Sequence, residues 1–356
     1  MAIDLQIPAD AELEVSLFGP GTGECIVAHL GGGEWMIVDS CISKSTGQPV
    51  ALDYLESLGV SPSRVVLIVI SHFHDDHIKG INLVIKTCLN ARVCISDALT
   101  RQEAFAFFKA HSLSDVLVDK GKPSTHEISA IVDLLNENNR SFTWASEATR
   151  LYLNGRVEVF ALSPSNQAIS QSRLDFSAGF NESCSSFRKL ANKLTSNLCA
   201  VALHITDGQN SVLLGSDLET SGCAAIGWDA VIASQARPLS TASVFKVPHH
   251  GSSTGHCDAV VQQLLTQLPI SILTTMNSSH LPLERDLERI KAYSGKVYLT
   301  TEPIKKPPKR DRAVDEMLES VAKSRRVIVN VMGHIQLRMS GQGVRVCLND
   351  HAKSAA

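Results

Sequence analysis

Ser71-His72-Phe73-His74-Asp75-Asp76-His77 follows directly on the apolar run Val65-Val66-Leu67-Ile68-Val69-Ile70, and the fold is decided by how these two stretches are read together. The run is too apolar and too β-branched to be anything but a buried strand. Three imidazoles and two carboxylates then fall between His72 and His77. Histidines at i and i+2 of an extended segment project to one side, so His72 and His74 are placed to hold one ion. Asp76 and His77, beyond the strand end, turn toward a second. The bland alternative is a polar loop that happens to carry histidines. Neutral imidazole and carboxylate are, however, the donors a borderline divalent ion such as zinc takes, and a solvated loop has no need of them.

Working outward toward the N-terminus, Leu13–Phe18 and Cys25–Leu30 read as strands joined by the turn Gly19-Pro20-Gly21-Thr22-Gly23. The cluster Gly31-Gly32-Gly33 opens onto another strand, Trp35-Met36-Ile37-Val38, and not onto a helix, which argues against a phosphate cradle. Asp39 ends that strand. Helix capping and loop solvation compete there with a third role, accepting a hydrogen bond from behind a metal-bound histidine, which the neighbouring motif favours. A helix over Pro49–Leu58 stops at Gly59.

Toward the C-terminus the pattern predicts a helix over Ile78–Lys86, a strand at Val93–Ile95, and helices over Ala98–Ala110 and Ile128–Asn136. Residues 111–146 are otherwise polar, with His126 as a loop residue, and the Ser/Asn-rich 165–196 reads as a second polar excursion after the strand Val157–Leu162. Leu198–Ile205, the hairpin turn Asp207-Gly208 and Ser211–Leu214 deliver Asp217. That residue is either a bridging carboxylate for two ions or a cap for a helix starting at Leu218-Glu219-Thr220. Val244–Val247 delivers Pro248-His249-His250-Gly251-Ser252. Adjacent histidines point to opposite sides, so one can ligate while the other faces a substrate. A helix over Asp258–Leu268, a strand at Ser271–Thr275, the loop His280-Leu281-Pro282, a helix over Leu283–Tyr293 and a strand at Lys296–Leu299 continue the alternation. A helix near Val314–Ala322 and strands at Val327–Asn330 and His334–Leu337 complete it. No linker or shift in composition divides the chain, which predicts one domain over residues 1–356.

Composition bounds the partners. Nine cysteines without a C-x-x-C pair suit reduced, mostly buried thiols better than a disulfide framework and give no support to a cysteine zinc cluster. A formal net charge of −3 gives no global attraction to nucleic acid, leaving Lys305-Lys306-Pro307-Pro308-Lys309-Arg310 as the one basic cluster. No apolar run approaches the roughly 20 residues that span a bilayer, and the first residues lack the pattern of a signal peptide, so the expectation is a cytoplasmic protein with no membrane partner.

The set Asp39, His72-Phe73-His74-Asp75-Asp76-His77, Gly215-Ser216-Asp217 and Pro248-His249-His250-Gly251-Ser252 resembles the metallo-β-lactamase fold hydrolases. Within them it is most similar to the soluble hydrolase domain of bacterial DNA-uptake competence proteins and to phosphorylcholine esterase. The resemblance runs from Leu13 to Val346 and includes Gly23-Glu24-Cys25-Ile26, Leu162-Ser163-Pro164 and His280-x-Pro282. It implies an α/β fold, a four-layer αββα sandwich. It implies His72 and His74 on metal one, Asp76, His77 and His250 on metal two, Asp217 between them, Asp39 behind the ligands and His249 facing the substrate. Asp76 would orient the attacking water, and His249 or His280 would stabilise or protonate the leaving oxygen. The cofactor implied is zinc, one or two ions, with manganese as the alternative. The activity implied is phosphodiester hydrolysis through a metal-bound hydroxide, on nucleic acid or a nucleotide. Acyl or lactam hydrolysis is the alternative, as is a catalytically weak metal-binding regulatory subunit, in a homo-oligomer or a larger assembly. Two departures stand out. Lys79 replaces the usual glycine, and no histidine between the His-rich loop and Asp217 completes metal one: His204 lies mid-strand, and Asn197 matches the Asn-rich segment of the competence branch.

Overall fold

The computed structural model describes residues 3–20, 23–99, 127, 142–181, 197–303, 317 and 331–355. The described strands form two eight-stranded sheets. The first is laid down by β1 (Leu13–Pro20), β2 (Cys25–His29), β3 (Trp35–Val38), β4 (Val65–Ile70), β5 (Arg92–Ser96) and β6 (Phe142–Ala145). The second takes β7 (Thr149–Leu153), β8 (Glu158–Ala161), β9 (Leu203–Thr206), β10 (Ser211–Leu214), β11 (Ala242–Lys246), β12 (Leu265–Leu273) and β13 (Lys296–Leu299). The chain then returns β14 (Met332–Ser340) and β15 (Gly343–Asp350) to the first sheet beside β1, and β16 (Lys353–Ser354) to the second beside β13.

Alternation along the strands explains why the sheets stack. Leu13, Val15 and Leu17 of β1, Ile26 and Ala28 of β2 and Met36 and Val38 of β3 face inward against Val159, Leu203, Ile205, Val212, Leu214 and Val244 of the second sheet. The outer face of the first sheet carries Val27, Trp35, Ile37, Ile68 and Ile70. It is covered by Ala51, Tyr54 and Leu55 of α1 (Val50–Ser57) and, beyond the short α2 (Asp75–Ile78), by Ile81, Val84 and Ile85 of α3 (Ile81–Thr87). After α4 (Asn166–Asn181), α5 (Trp228–Ala233), α6 (Asp258–Leu264) and α7 (Glu284–Tyr293) set Trp228, Val231, Val260, Leu264 and Ile290 against Leu213, Phe245, Leu273 and Val297 on the outer face of the second sheet. Helix, sheet, sheet, helix is the four-layer order expected. Strands β3 to β6 run parallel, as do β10 to β13, so several carboxyl ends meet one rim, where ligands bind in such sheets.

Some elements differ from the sequence reading. The helix expected over Ile78–Lys86 is two: Lys79 is extended, Gly80 takes φ 78°, and α2 and α3 lie on either side. Glycine reaches that conformation without steric cost, so the break falls there. The excursion at 165–196 begins instead as α4, whose buried Ala168 and Ile169 pack with Ala98 and Cys199. A helix needs only one apolar stripe to dock, so a polar composition hid it. Leu218-Glu219-Thr220 starts no helix, and Thr220 pairs instead with Gly227 in an isolated bridge. The helix expected to reach Leu268 stops at Leu264, and β12 begins at Leu265, ahead of the strand expected from Ser271. Strands β6, β7 and β15 were not foreseen. The expected helices beyond Ala98, over 128–136 and over 314–322, the strand at 327–330, His126 and the basic cluster 305–310 lie outside the described residues. Among the described residues all eight cysteines are free, six of them buried, and no helix is long and apolar enough to cross a membrane.

Candidate metal centre

Each strand end at the rim hands over one part of a site. β3 ends at Asp39, and β4 passes into the extended Ser71–His74 and then α2, which carries Asp76 and His77. β10 leads to Asp217 and β11 to His249 and His250. Among the described residues, two groups of donors converge: His72, His77 and Asp217, and Asp76, His77 and His250. His77 belongs to both, yet has one nitrogen to give, because its Nδ1 lies 2.7 Å from Asp39 Oδ2. Asp217 also approaches the second group, through both of its histidines. His77 Nε2 stands 3.9 Å from Asp76 Oδ2 and 3.5 Å from Asp217 Oδ2, and His250 Nε2 stands 3.4 and 3.6 Å from the same two oxygens. Four donors about 2.0–2.1 Å from a tetrahedral ion stand about 3.3 Å from one another, so these separations suit a zinc-sized cation.

The chemistry of the donors passes the same test. His72 Nε2, His77 Nε2, His250 Nε2 and Asp76 Oδ2 are buried without a hydrogen-bond partner, a costly arrangement unless something else meets them. Asp39 makes the imidazole nitrogens available. Its Oδ2 accepts from His77 Nδ1 (2.7 Å) and from Ser71 Oγ (2.6 Å), and its Oδ1 accepts from Ser71 N (2.7 Å). With its proton given to Asp39, Ser71 Oγ accepts from His72 Nδ1 at 3.0 Å. Both imidazoles therefore carry hydrogen on Nδ1 and turn a lone pair inward.

The field in the site calls for positive charge. Burial pulls the His77 pKa down, but Asp217, Asp76 and Asp39 together push it well above the ordinary imidazole value. Burial and Asp217 oppose each other in the same way at His250, and again the carboxylate prevails. For Asp217 burial works upward, and His250, His77 and Lys246 outweigh it, holding the carboxyl well below its usual range. His72 differs: burial and the neighbouring histidines lower it, so it stays a neutral donor.

The other predicted residues take distinct places. His74 is half-buried, its ring edge-on to His72 at 4.5 Å between centroids, and it lies outside both donor groups. His72, beside His74, shares its donor group with His77 and Asp217. His249 faces the rim. Its Nδ1 is 2.8 Å from Glu219 Oε1 and its Nε2 3.4 Å from Asn197 Nδ2. His280 is exposed in a left-handed conformation after the turn Asn277–Ser279 and is not in either group. Asp39, Ser216, His249 and His250 also hold left-handed φ of 60°, 46°, 48° and 52°, the backbone strain that functional loops retain.

Sequence reading missed Ser71, Glu219, Glu24, Thr274 and Lys246. Lys246 carried a signal: a lysine inside the apolar Val244-Phe245-Lys246-Val247 is fully buried, and a buried ammonium needs a carboxylate partner.

Residues 18–136 match the family model described as the metallo-beta-lactamase superfamily. No curated protein matches the chain. Among solved structures, similarity extends to the metallo-beta-lactamase fold protein YhfI from Bacillus subtilis (15% identity, 83% of this chain and 98% of that one, TM-score 0.43). It extends also to a metallo-beta-lactamase of Cronobacter sakazakii (14% identity, 58% and 61%, TM-score 0.34). A third is BJP-1, a subclass B3 metallo-beta-lactamase of Bradyrhizobium japonicum (14% identity, 57% and 60%, TM-score 0.31). The family match and the layer order make the fold that of the metallo-β-lactamases.

Proposed function

We propose that this chain is a metal-dependent hydrolase of phosphodiesters, with the centre at Asp76, His77, Asp217 and His250. One observation carries the reading: Asp76, His77 and His250 bring donor atoms from separate loops within reach of one another, Asp217 stands beside both histidines, and the Nε2 atoms of both histidines are buried without a hydrogen-bond partner. The superfamily matched by residues 18–136 supports a hydrolase, and the Pro248-His249-His250-Gly251-Ser252 resemblance supports a phosphoester over a lactam.

When bound, a divalent cation supplies Lewis-acid activation of water and of the scissile ester. The residues supply the rest. Asp76, whose side chain is 21% exposed, is placed to accept a hydrogen bond from the attacking water. His249 stands at the rim with Glu219 on Nδ1, so its Nε2 is aimed outward beside Asn197. Neutral, it accepts there from Asn197 Nδ2; as the imidazolium, with both nitrogens protonated, it would donate from Nε2 to a phosphoryl oxygen or protonate the leaving alkoxide. Asp39 and Ser71 keep His77 and His72 in the tautomer that leaves the inward nitrogens bare.

Metal content and hydrolysis of bis-p-nitrophenyl phosphate, compared among the natural chain, Asp76→Ala and His250→Ala, test the reading. Each variant is expected to lose more than about 100-fold in kcat/KM, since even residues behind metal ligands cost about 10–100-fold. Equal residual activity in all three proteins ends the enzymatic reading. Turnover confined to ester or lactam substrates in the same panel moves it to acyl transfer.

A further inference from the structure

Behind His250 and Asp217 lies a second buried assembly that the proposed chemistry does not use. Lys246 is the fully buried ammonium of β11, and its Nζ sits 2.6 Å from Glu24 Oε1, 2.8 Å from the carbonyl of Ser216 and 3.8 Å from Asp217 Oδ1. Glu24, at the start of β2, comes from the far end of the chain and is 2% exposed. Its other oxygen, Oε2, accepts from Thr274 Oγ1 just beyond β12. Thr274 Oγ1 in turn lies 2.9 Å from His250 Nδ1.

The proton count along this line is fixed. A hydroxyl has one hydrogen, and a carboxylate paired with an ammonium has none to give, so Thr274 donates to Glu24 and must accept from His250 Nδ1. His250 therefore carries hydrogen on Nδ1 and turns the lone pair of Nε2 inward, as the line from Asp39 through Ser71 does for His72. Lys246 meanwhile stands on the Oδ1 side of Asp217, while Oδ2 faces His77 and His250.

We propose that Glu24, Thr274 and Lys246 are positioning residues of the metal centre, which orient His250 and Asp217 toward the cation and so set how tightly it is held. The inference rests on the metal centre described under the proposed function and deepens it. It also accounts for the burial: a Lys–Glu pair out of water is commonly no more stabilising than an apolar pair of like volume, so its worth lies in what it orients.

Zinc affinity, measured by competition with a chromophoric chelator, is the readout, with thermal unfolding of the metal-free protein beside it. Thr274→Val keeps the shape and removes the hydroxyl. It is expected to weaken zinc about 10–100-fold, and Thr274→Ser to restore affinity to within about threefold. The double variant Glu24→Gln with Lys246→Met removes both charges together, which avoids stranding either one. It is expected to leave the metal-free unfolding temperature unchanged or raised while weakening zinc by more than about fivefold. A merely structural pair gives the reverse, a less stable metal-free protein with unaltered affinity. Unaltered zinc affinity in folded Thr274→Val overturns the inference while leaving the metal centre standing. A natural chain that takes up neither zinc nor manganese removes that centre and the inference with it.

Discussion

Asp39 shows what one carboxylate decides at the rim. Its two oxygens accept three hydrogen bonds, from His77 Nδ1, Ser71 Oγ and Ser71 N. An amide cannot accept all three, because one of its two positions becomes a donor. Asp39→Asn either turns NH2 toward His77, driving the imidazole hydrogen to the inward Nε2, or turns it toward Ser71 N. The expected outcome is a folded protein with zinc held about 10–100-fold more weakly, read by chelator competition. Unchanged affinity would mean that His77 does not depend on Asp39 for its tautomer. The sequence revealed this residue through its place at a strand end beside the H-x-H-x-D-H motif, whose residue types narrow the chemistry so sharply. Glu24 and Thr274 could not be read that way. They reach His250 only because two sheets bring β2 and β12 to one rim: Glu24 falls in Gly23-Glu24-Cys25-Ile26, which gives its carboxylate no role, and Thr274 sits in no motif.

At the scale of elements, the turn joining β1 to β2 holds the start of α2. Glu24 N donates to the carbonyl of Asp76 at 2.7 Å, and a Cβ added at Gly23 would lie 1.9 Å from that same oxygen. The approach is backbone to backbone, so no side chain can swing away to make room. Gly23→Ala must push the turn off α2 and carry Asp76 and His77 with it. The expected cost is more than about 2 kcal/mol in chemical denaturation, the range of a forced backbone shift, together with loss of metal uptake. Stability and zinc affinity both matching the natural protein would show that the turn yields freely. Sequence reading marked this segment only as a glycine turn, since nothing local says that a helix 50 residues on rests against it. The same gap explains the helix broken at Gly80. Ile78–Lys86 has a helical period throughout, and only the fold shows the break: Gly80 takes a left-handed conformation at a place where an added Cβ would press on Ile42 and Pro49.

Across the whole molecule, alternation in β1 and the apolar run of β4 made the buried layers legible, whereas β6, β7 and β15 lie at or beside sheet edges, where half-exposed strands alternate too weakly to be read. The sandwich also buries residues that prefer to be charged in acid. His334 of β14 stacks on Phe18 with ring centroids 4.0 Å apart, packs beside Tyr54, and has its Nε2 2.9 Å from Ser16 Oγ, which itself donates to Glu14. Burial lowers its pKa to about 3. An imidazole in the unfolded chain titrates near about 6.5. Above that value the histidine is neutral in both states and pH leaves its contribution alone. Below it the unfolded chain binds a proton that the folded one refuses, so stability falls by up to about 1.4 kcal/mol per pH unit until the folded group titrates. Glu14, raised by burial, acts in the opposite sense near its own titration, so the comparison must be made against a variant that leaves Glu14 in place. In chelator, to take bound metal out of the balance, His334→Gln is expected to lose about 2 kcal/mol less than the natural protein between pH 6.5 and 4.5, measured by urea unfolding at each pH. Parallel acid limbs for the two proteins would mean that His334 takes up its proton inside the folded sandwich, and that the first sheet yields to charge more readily than its packing shows.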